Sequence, residues 1–199
     1  MADTEIYARR RLGLLRAVAY AADDPLVAVI GPATGGELIS LAKGVRRPHP
    51  LRKGSAAGSV LCFHRRLNLT AVSAAQRAIV DYANAQTRRR RKLKTATPVA
   101  LAIRFVREAW EQEIARLQRA GPMRFGLIVH VGQYRKGRAQ RDLDLFVPMM
   151  IDRTTLVLCG LEKTKPQRLL RSLLTTGGWN GRWWQSLGLA VLGRLPFAA

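Results

Sequence analysis

Short apolar runs rich in β-branched residues alternate along this chain with longer stretches in which apolar residues return every three or four positions. The run Leu26 to Ile30 (LVAVI) lies between DDP and GPATGG and predicts a buried strand. Before it, residues 6–22 suit a helix that stops at DDP, because Pro25 disfavours helical geometry in the residue ahead of it. After it, ELISLAK predicts a short helix ended by Gly44. SVLCFHRRLNL reads as a second strand, and Ser73 with Gln76 has capping-box spacing, which predicts a helix starting near Ala74 and running toward an arginine cluster. PVALAIRFV (98–106) is a third strand candidate. It leads into a helix on which Trp110, Ile114 and Leu117 recur at helical spacing. RFGLIVHV predicts a fourth strand, LDLFVPMMI a fifth and TTLVLCG a sixth, followed by a helix over KPQRLLRSLL with Pro166 near its first turn.

Strands separated by helices predict an α+β or α/β fold. The expectation is a mixed sheet of about five to six strands with three to five helices in one compact domain spanning 1–199. Within it, 1–24 reads as an N-terminal amphipathic helix and 176–199 as an apolar segment rich in tryptophan and glycine. The hydrophobic share of 48% is that of a folded chain. No apolar run reaches 18 residues, so no spanning helix is expected. Cys62 and Cys159 sit in apolar runs with no CxxC or Cys/His cluster beside them. They read as buried small hydrophobes in a reducing compartment, cytoplasmic or another that contains nucleic acid.

Charge is the anomaly. Lys plus Arg number 34 against 13 Asp plus Glu, a formal net of +21, and 14 of those units lie between residues 61 and 141. The densest stretch, AQTRRRRKLK, puts six cations into the seven positions from Arg88 to Lys94. A helix C-terminus accounts for one or two of them. Six point to phosphate contacts. The candidate nucleic-acid-binding residues are Arg88, Arg89, Arg90, Arg91, Lys92 and Lys94, with Arg46, Arg47, Arg52, Lys53, Arg65 and Arg66 as a second group. The third group, QYRKGRAQR, supplies Tyr134, Arg135, Lys136, Arg138 and Arg141. Gly132 and Gly137 would let its backbone approach a phosphate, and Tyr134 could stack on a base. No named recognition module is present. The stretch VIGPATGGELIS has the strand, glycine loop, helix order of a phosphate cradle. It lacks the Lys-Ser/Thr of a P-loop and does not fit GxGxxG, so it reads as a tight turn.

The one hint of catalysis is QRDLDLFVPMMID, where Asp142 and Asp144, alternating on a strand, would project from one face as a Mg²⁺ pair. The phrase GQYRKGRAQRDLDLFV resembles the nucleotidyltransferase pattern, a Gly-Ser turn followed by Asp-x-Asp, with Gln133 standing where that family has serine; the resemblance implies Asp152 or Glu162 as its later third carboxylate. The same stretch also resembles Holliday-junction resolvases of the RusA type, with Leu145 in place of their asparagine. Both resemblances imply metal-dependent phosphodiester chemistry. The simpler reading pairs the two aspartates with neighbouring arginines. His49, His64 and His130 have no mutual spacing that suggests a metal or a triad, and His130 reads as a core residue.

The C-terminal segment holds Trp179, Trp183 and Trp184, which would close the core, meet a partner protein, or stack on single-stranded bases beside Arg182. The sequence therefore leads to an expectation of a non-catalytic protein that binds RNA or DNA through the phosphate backbone, within a larger nucleoprotein assembly and with no cofactor. The alternative is a Mg²⁺-dependent nuclease or nucleotidyltransferase. Association with an anionic membrane surface is a third class.

Overall fold

The computed structural model describes residues 2–22, 24, 26–46, 58–64, 69–92, 101–106, 110–119, 124–132, 137–161, 164–176 and 178–194. Among these the apolar runs form a seven-stranded sheet. β1 is Leu26–Ile30, β2 Ser59–Phe63, β3 Ile103–Val106, β4 Phe125–Val131, β5 Met150–Cys159, β6 Trp179–Trp184 and β7 Leu189–Arg194. The order across the sheet is β3-β2-β1-β4-β5-β7-β6. β1 to β5 pair in parallel, and β7 runs antiparallel to both β5 and β6.

Helices cover both faces, which is why the parallel strands read as unbroken apolar runs and not as alternating ones. α1 (Ala2–Ala21), α2 (Gly35–Val45) and α3 (Leu69–Lys92) lie in chain order around β1 and β2. α4 (Trp110–Arg119), α5 (Arg138–Asp144) and α6 (Thr164–Thr176) follow β3, β4 and β5. Two separate cores result. On one face Leu15, Leu38, Leu41 and Ala75 pack with Val27, Val29, Val60, Cys62, Leu127 and Val129. On the other, Trp110, Ile114, Leu143, Leu170 and Leu173 pack with Ile30, Phe63, Ile128, Leu156 and Leu158. The second core is aromatic at its centre. Phe63 meets Phe146 edge-on at 4.9 Å and Trp110 at 5.8 Å between ring centroids, the T-shaped arrangement that ring quadrupoles favour.

The α/β fold and the single domain agree with the sequence reading, with one strand and one helix more than expected among the described residues. The differences have local causes. The predicted fifth strand is a helix in its first part: Ala139, Leu143 and Phe146 are buried at helical spacing, so α5 replaces a strand, and a 3₁₀ turn over Val147–Met149 leads into β5. The helix expected near Ala74 starts at Leu69, which leaves Ser73 and Gln76 inside it, and β2 correspondingly stops at Phe63. The C-terminal segment, which carried no predicted element, supplies β6 and β7. Trp179 is buried in the second core, with Trp183 half-buried against it and Trp184 half-buried against the first. Arg182 lies over the Trp184 ring at 5.4 Å. β7 sits between β5 and β6, so Leu189, Ala190 and Leu192 are interior residues. Among the described residues no helix is long and apolar enough to cross a membrane.

Candidate functional site

Strand order reverses between β1 and β4. From β1 the chain moves outward through β2 to β3, then returns to the other side of β1 with β4 and continues to β5. In open parallel sheets a crevice opens at such a point, outside the carboxyl ends of the strands. The residues there are the turn Gly31–Thr34 after β1, His64 after β2, and Val131 and Gly132 at the end of β4.

The turn is tightly determined. Gly31 has φ +102°, and a Cβ built on it would lie 2.2 Å from the carbonyl oxygen of Val131, so β4 approaches closer than any side chain permits. The Gly31 N–H donates to the Phe63 carbonyl at 3.0 Å, which ties the turn to β2 on its other side. Thr34 then caps α2. The Glu37 N–H donates to Thr34 Oγ1 at 3.3 Å, and the Thr34 N–H donates to Glu37 Oε2 at 2.8 Å, a reciprocal capping box. Arg11 of α1 donates to the other carboxylate oxygen, Oε1, at 2.6 Å. Glu37 is 5% exposed, so its charge is compensated by Arg11 and by the helix start. Gly35, the first residue of α2, packs against Ala78 of α3, where an added Cβ would stand 2.5 Å from the alanine methyl. The N–H groups of Gly35 and Gly36 have no intrahelical partner by position and point out of the helix start, a setting that favours an anionic group.

Two histidines flank this turn. His130, in register with Ile30 of β1 and Leu158 of β5, is buried, and burial pushes its pKa down from 6.5 to about 4. His64 is buried against Phe105, the rings 6.0 Å apart and nearly parallel, and burial lowers its pKa as well. Both imidazoles are neutral at pH 7, and neither carries the charge that a carboxylate would bring to this end of the sheet.

Of the residues singled out by charge, those that close α2 and α3 lie elsewhere. α2 and α3 begin after the carboxyl ends of β1 and β2 and return toward the amino ends of the following strands. Their last turns therefore lie at the opposite end of the sheet from the crevice. Arg46 is the exposed residue closing α2, and Arg88 and Arg89 are exposed near the end of α3, whose backbone continues through Arg90, Arg91 and Lys92. Arg138, by contrast, opens α5, the helix that follows β4, and so stands at the crevice end of the sheet; Arg141 is exposed on the same helix. Arg47, Arg52, Lys53, Arg65, Arg66, Lys94, Tyr134, Arg135 and Lys136 lie outside the described residues, as does His49.

The carboxylates do not assemble either. Asp142 and Asp144 stand on α5, not on a strand. Asp142 is buried, whereas Asp144 is exposed and accepts from Gln140 Nε2 at 2.8 Å. Asp152 is exposed on β5, and Glu162 lies outside the described residues. Among the described residues no three of His, Cys, Asp and Glu are grouped to hold a metal ion. What the sequence reading missed was Arg11, Thr34 and Glu37. The T-x-x-E spacing at 34–37 was a capping-box signal in plain view.

No family model matches the chain, and no curated protein matches it. Solved structures do. An O-methyltransferase from Bacillus cereus in complex with SAH aligns over 96% of this chain and 88% of its own, with TM-score 0.59 and 10% identity. The O-methyltransferase TomG from Streptomyces achromogenes, involved in tomaymycin synthesis and in complex with SAM, aligns over 94% and 80%, with TM-score 0.61 and 11% identity. A methyltransferase from Geobacter sulfurreducens aligns over 98% and 87%, with TM-score 0.59 and 15% identity.

These comparisons correct the functional expectation. The folds that match are those of O-methyltransferases, which overturns both the non-catalytic nucleic-acid binder and the Mg²⁺-dependent nuclease or nucleotidyltransferase. The expectation of no cofactor is corrected in the same way, since matching structures hold SAH or SAM. The physical reason is that net charge governs solubility and non-specific association and does not select a fold. At 9–15% identity the likeness is one of architecture: this chain is a single α/β domain with a Rossmann-like methyltransferase fold.

Proposed function

We propose that this chain binds S-adenosylmethionine in the crevice between β1 and β4 and serves the transfer of its methyl group to a hydroxyl of a small molecule. The observation that carries the reading is the strand order β3-β2-β1-β4-β5-β7-β6, with β7 reversed, built around a glycine turn at the point where the order switches. The match of fold to O-methyltransferases over nearly the whole chain supports the reaction class.

The residues present fit the cofactor at its backbone contacts. Gly31 to Thr34 would lie under it, and the N–H groups of Gly35 and Gly36 would receive its carboxylate. Buried Ala33 and Val131 give the turn apolar neighbours, and the buried Nε2 of His64 offers a polar contact. When bound, S-adenosylmethionine supplies a methyl group on a positively charged sulfur. The protein's part is to hold that group still: the Arg11–Glu37–Thr34 chain fixes the turn against α1, and the Gly31–Phe63 and β1–β4 pairings fix it against the sheet.

Thermal unfolding with and without S-adenosylmethionine tests the reading. At a free concentration 100 times the Kd, binding stabilises the folded chain by about 2.7 kcal/mol. For a chain of this length that raises Tm by roughly 5–10 °C. A melting curve unmoved by millimolar cofactor, with no heat of binding by calorimetry, would overturn it.

A further inference from the structure

His64 follows β2 directly and is held on two sides. Its own N–H donates to the Val106 carbonyl of β3 at 3.3 Å, and the carbonyl just before it, that of Phe63, accepts from Gly31 of the turn. Phe105 fixes the plane of its ring. The residue is 7% exposed, yet its Nε2 has no hydrogen-bond partner among the described residues. A buried polar atom left unsatisfied in the residue that follows β2, at the carboxyl end of the sheet, calls for an explanation, and a ligand that completes its bond is one. In doubly wound sheets the end of the second strand is where a nucleoside's ribose arrives, and a carboxylate commonly meets its hydroxyls there. Glu37, the carboxylate in the first turn of α2, has both oxygens engaged by Thr34 and Arg11.

We propose that Nε2 of His64 hydrogen-bonds a ribose hydroxyl of the nucleoside cofactor, an imidazole taking the place a carboxylate holds in dinucleotide-binding sheets. The inference rests on the cofactor reading above. It has a chemical consequence. A carboxylate offers two oxygens to the two hydroxyls of a ribose, whereas one imidazole nitrogen meets a single hydroxyl. Recognition is therefore asymmetric between the 2′ and 3′ positions.

Calorimetric titration with S-adenosylhomocysteine and with its 2′-deoxy and 3′-deoxy analogues separates the possibilities, using the full chain, His64→Ala and His64→Gln. The parent should bind S-adenosylhomocysteine, and His64→Ala should bind it about tenfold more weakly, equivalent to about 1.4 kcal/mol. His64→Gln, which keeps a polar end, should recover part of the loss. One deoxy analogue should bind the parent about tenfold more weakly than the full nucleoside and bind His64→Ala with no further loss, while the other behaves like the full nucleoside. Undiminished binding to His64→Ala overturns the proposal. So do two analogues that lose affinity equally in parent and variant. Should His64→Ala fail to fold, the parent alone decides: equal affinity for both analogues overturns the proposal, and a one-sided loss supports it. A parent that does not bind S-adenosylhomocysteine at all overturns the cofactor reading itself and this inference with it.

Discussion

Acid should weaken this protein through His130 as pH falls from about 6.5 to about 4. The ring is 2% exposed in β4, between Ile30 of β1 and Leu158 of β5, and burial lowers its pKa from 6.5 to about 4. In the unfolded chain it returns to about 6.5. Above that value both states hold a neutral ring and the group is silent. Between 6.5 and 4 the unfolded chain binds a proton that the folded chain excludes, so stability falls as pH falls, and the loss is complete below about 4. Across a gap of about 2.5 pH units, at 1.36 kcal/mol each, the loss is about 3 kcal/mol. That is a large part of the 5–15 kcal/mol that holds a typical domain together. Urea unfolding followed by tryptophan fluorescence, from pH 7 to pH 4, should show the parent losing about 3 kcal/mol more than His130→Gln, which does not titrate. His64 and Glu113 titrate in both proteins and drop out of the difference. Parallel stability curves for parent and variant would refute the reasoning.

Gly31→Ala combines a left-handed backbone with a methyl 2.2 Å from the Val131 carbonyl oxygen, so it should cost about 3 kcal/mol or more in a urea titration and weaken cofactor binding with it. Glu37→Ala removes one half of the capping box and leaves Arg11 without its carboxylate; a loss of about 2–4 kcal/mol is expected, measurable as a lower urea midpoint, with Thr34→Ala losing nearer 1 kcal/mol. Deleting residues 186–199 removes β7 from between β5 and β6, so circular dichroism should show an unfolded chain and not a folded one lacking an outer strand.

How much of this was legible in the sequence depends on whether a segment's partners are local or distant. LVAVI is the strand β1 to the residue, because a parallel strand buried on both faces needs five apolar residues and nothing else. α4 was legible from Trp110, Ile114 and Leu117 alone. WNGRWW and LAVLGR were not, although they form two adjacent strands. Asn180, Gly181 and Arg182 break the apolar pattern of β6 because that strand is an edge, exposed where β7 is buried. Asp142 and Asp144 misled because alternation over three residues fits a strand and a helix equally. Only Ala139 and Phe146, further out, decide for the helix.

The site was harder to read for a different reason: most of it is backbone. Gly31 matters for what it lacks, Gly35 and Gly36 for their N–H groups, and Val131 for a carbonyl oxygen. Charged side chains show plainly in a sequence and backbone groups do not, so a reading from composition is drawn to the arginines. The topology then separates the site from the arginines that end α2 and α3. A helix that follows a parallel strand carries its first residue at the carboxyl end of the sheet and its last at the amino end. A 24-residue helix such as α3 spans about 36 Å, far more than a five-residue strand needs. Arg88 and Arg89 thus lie near the end of α3 away from the crevice, beyond about 8 Å of screening at physiological salt, and their charge has little purchase on the chemistry at the glycine turn. Replacing both with glutamine should accordingly leave the affinity for S-adenosylhomocysteine within about twofold of the parent at physiological salt. A tenfold change would place the charge run in the site after all.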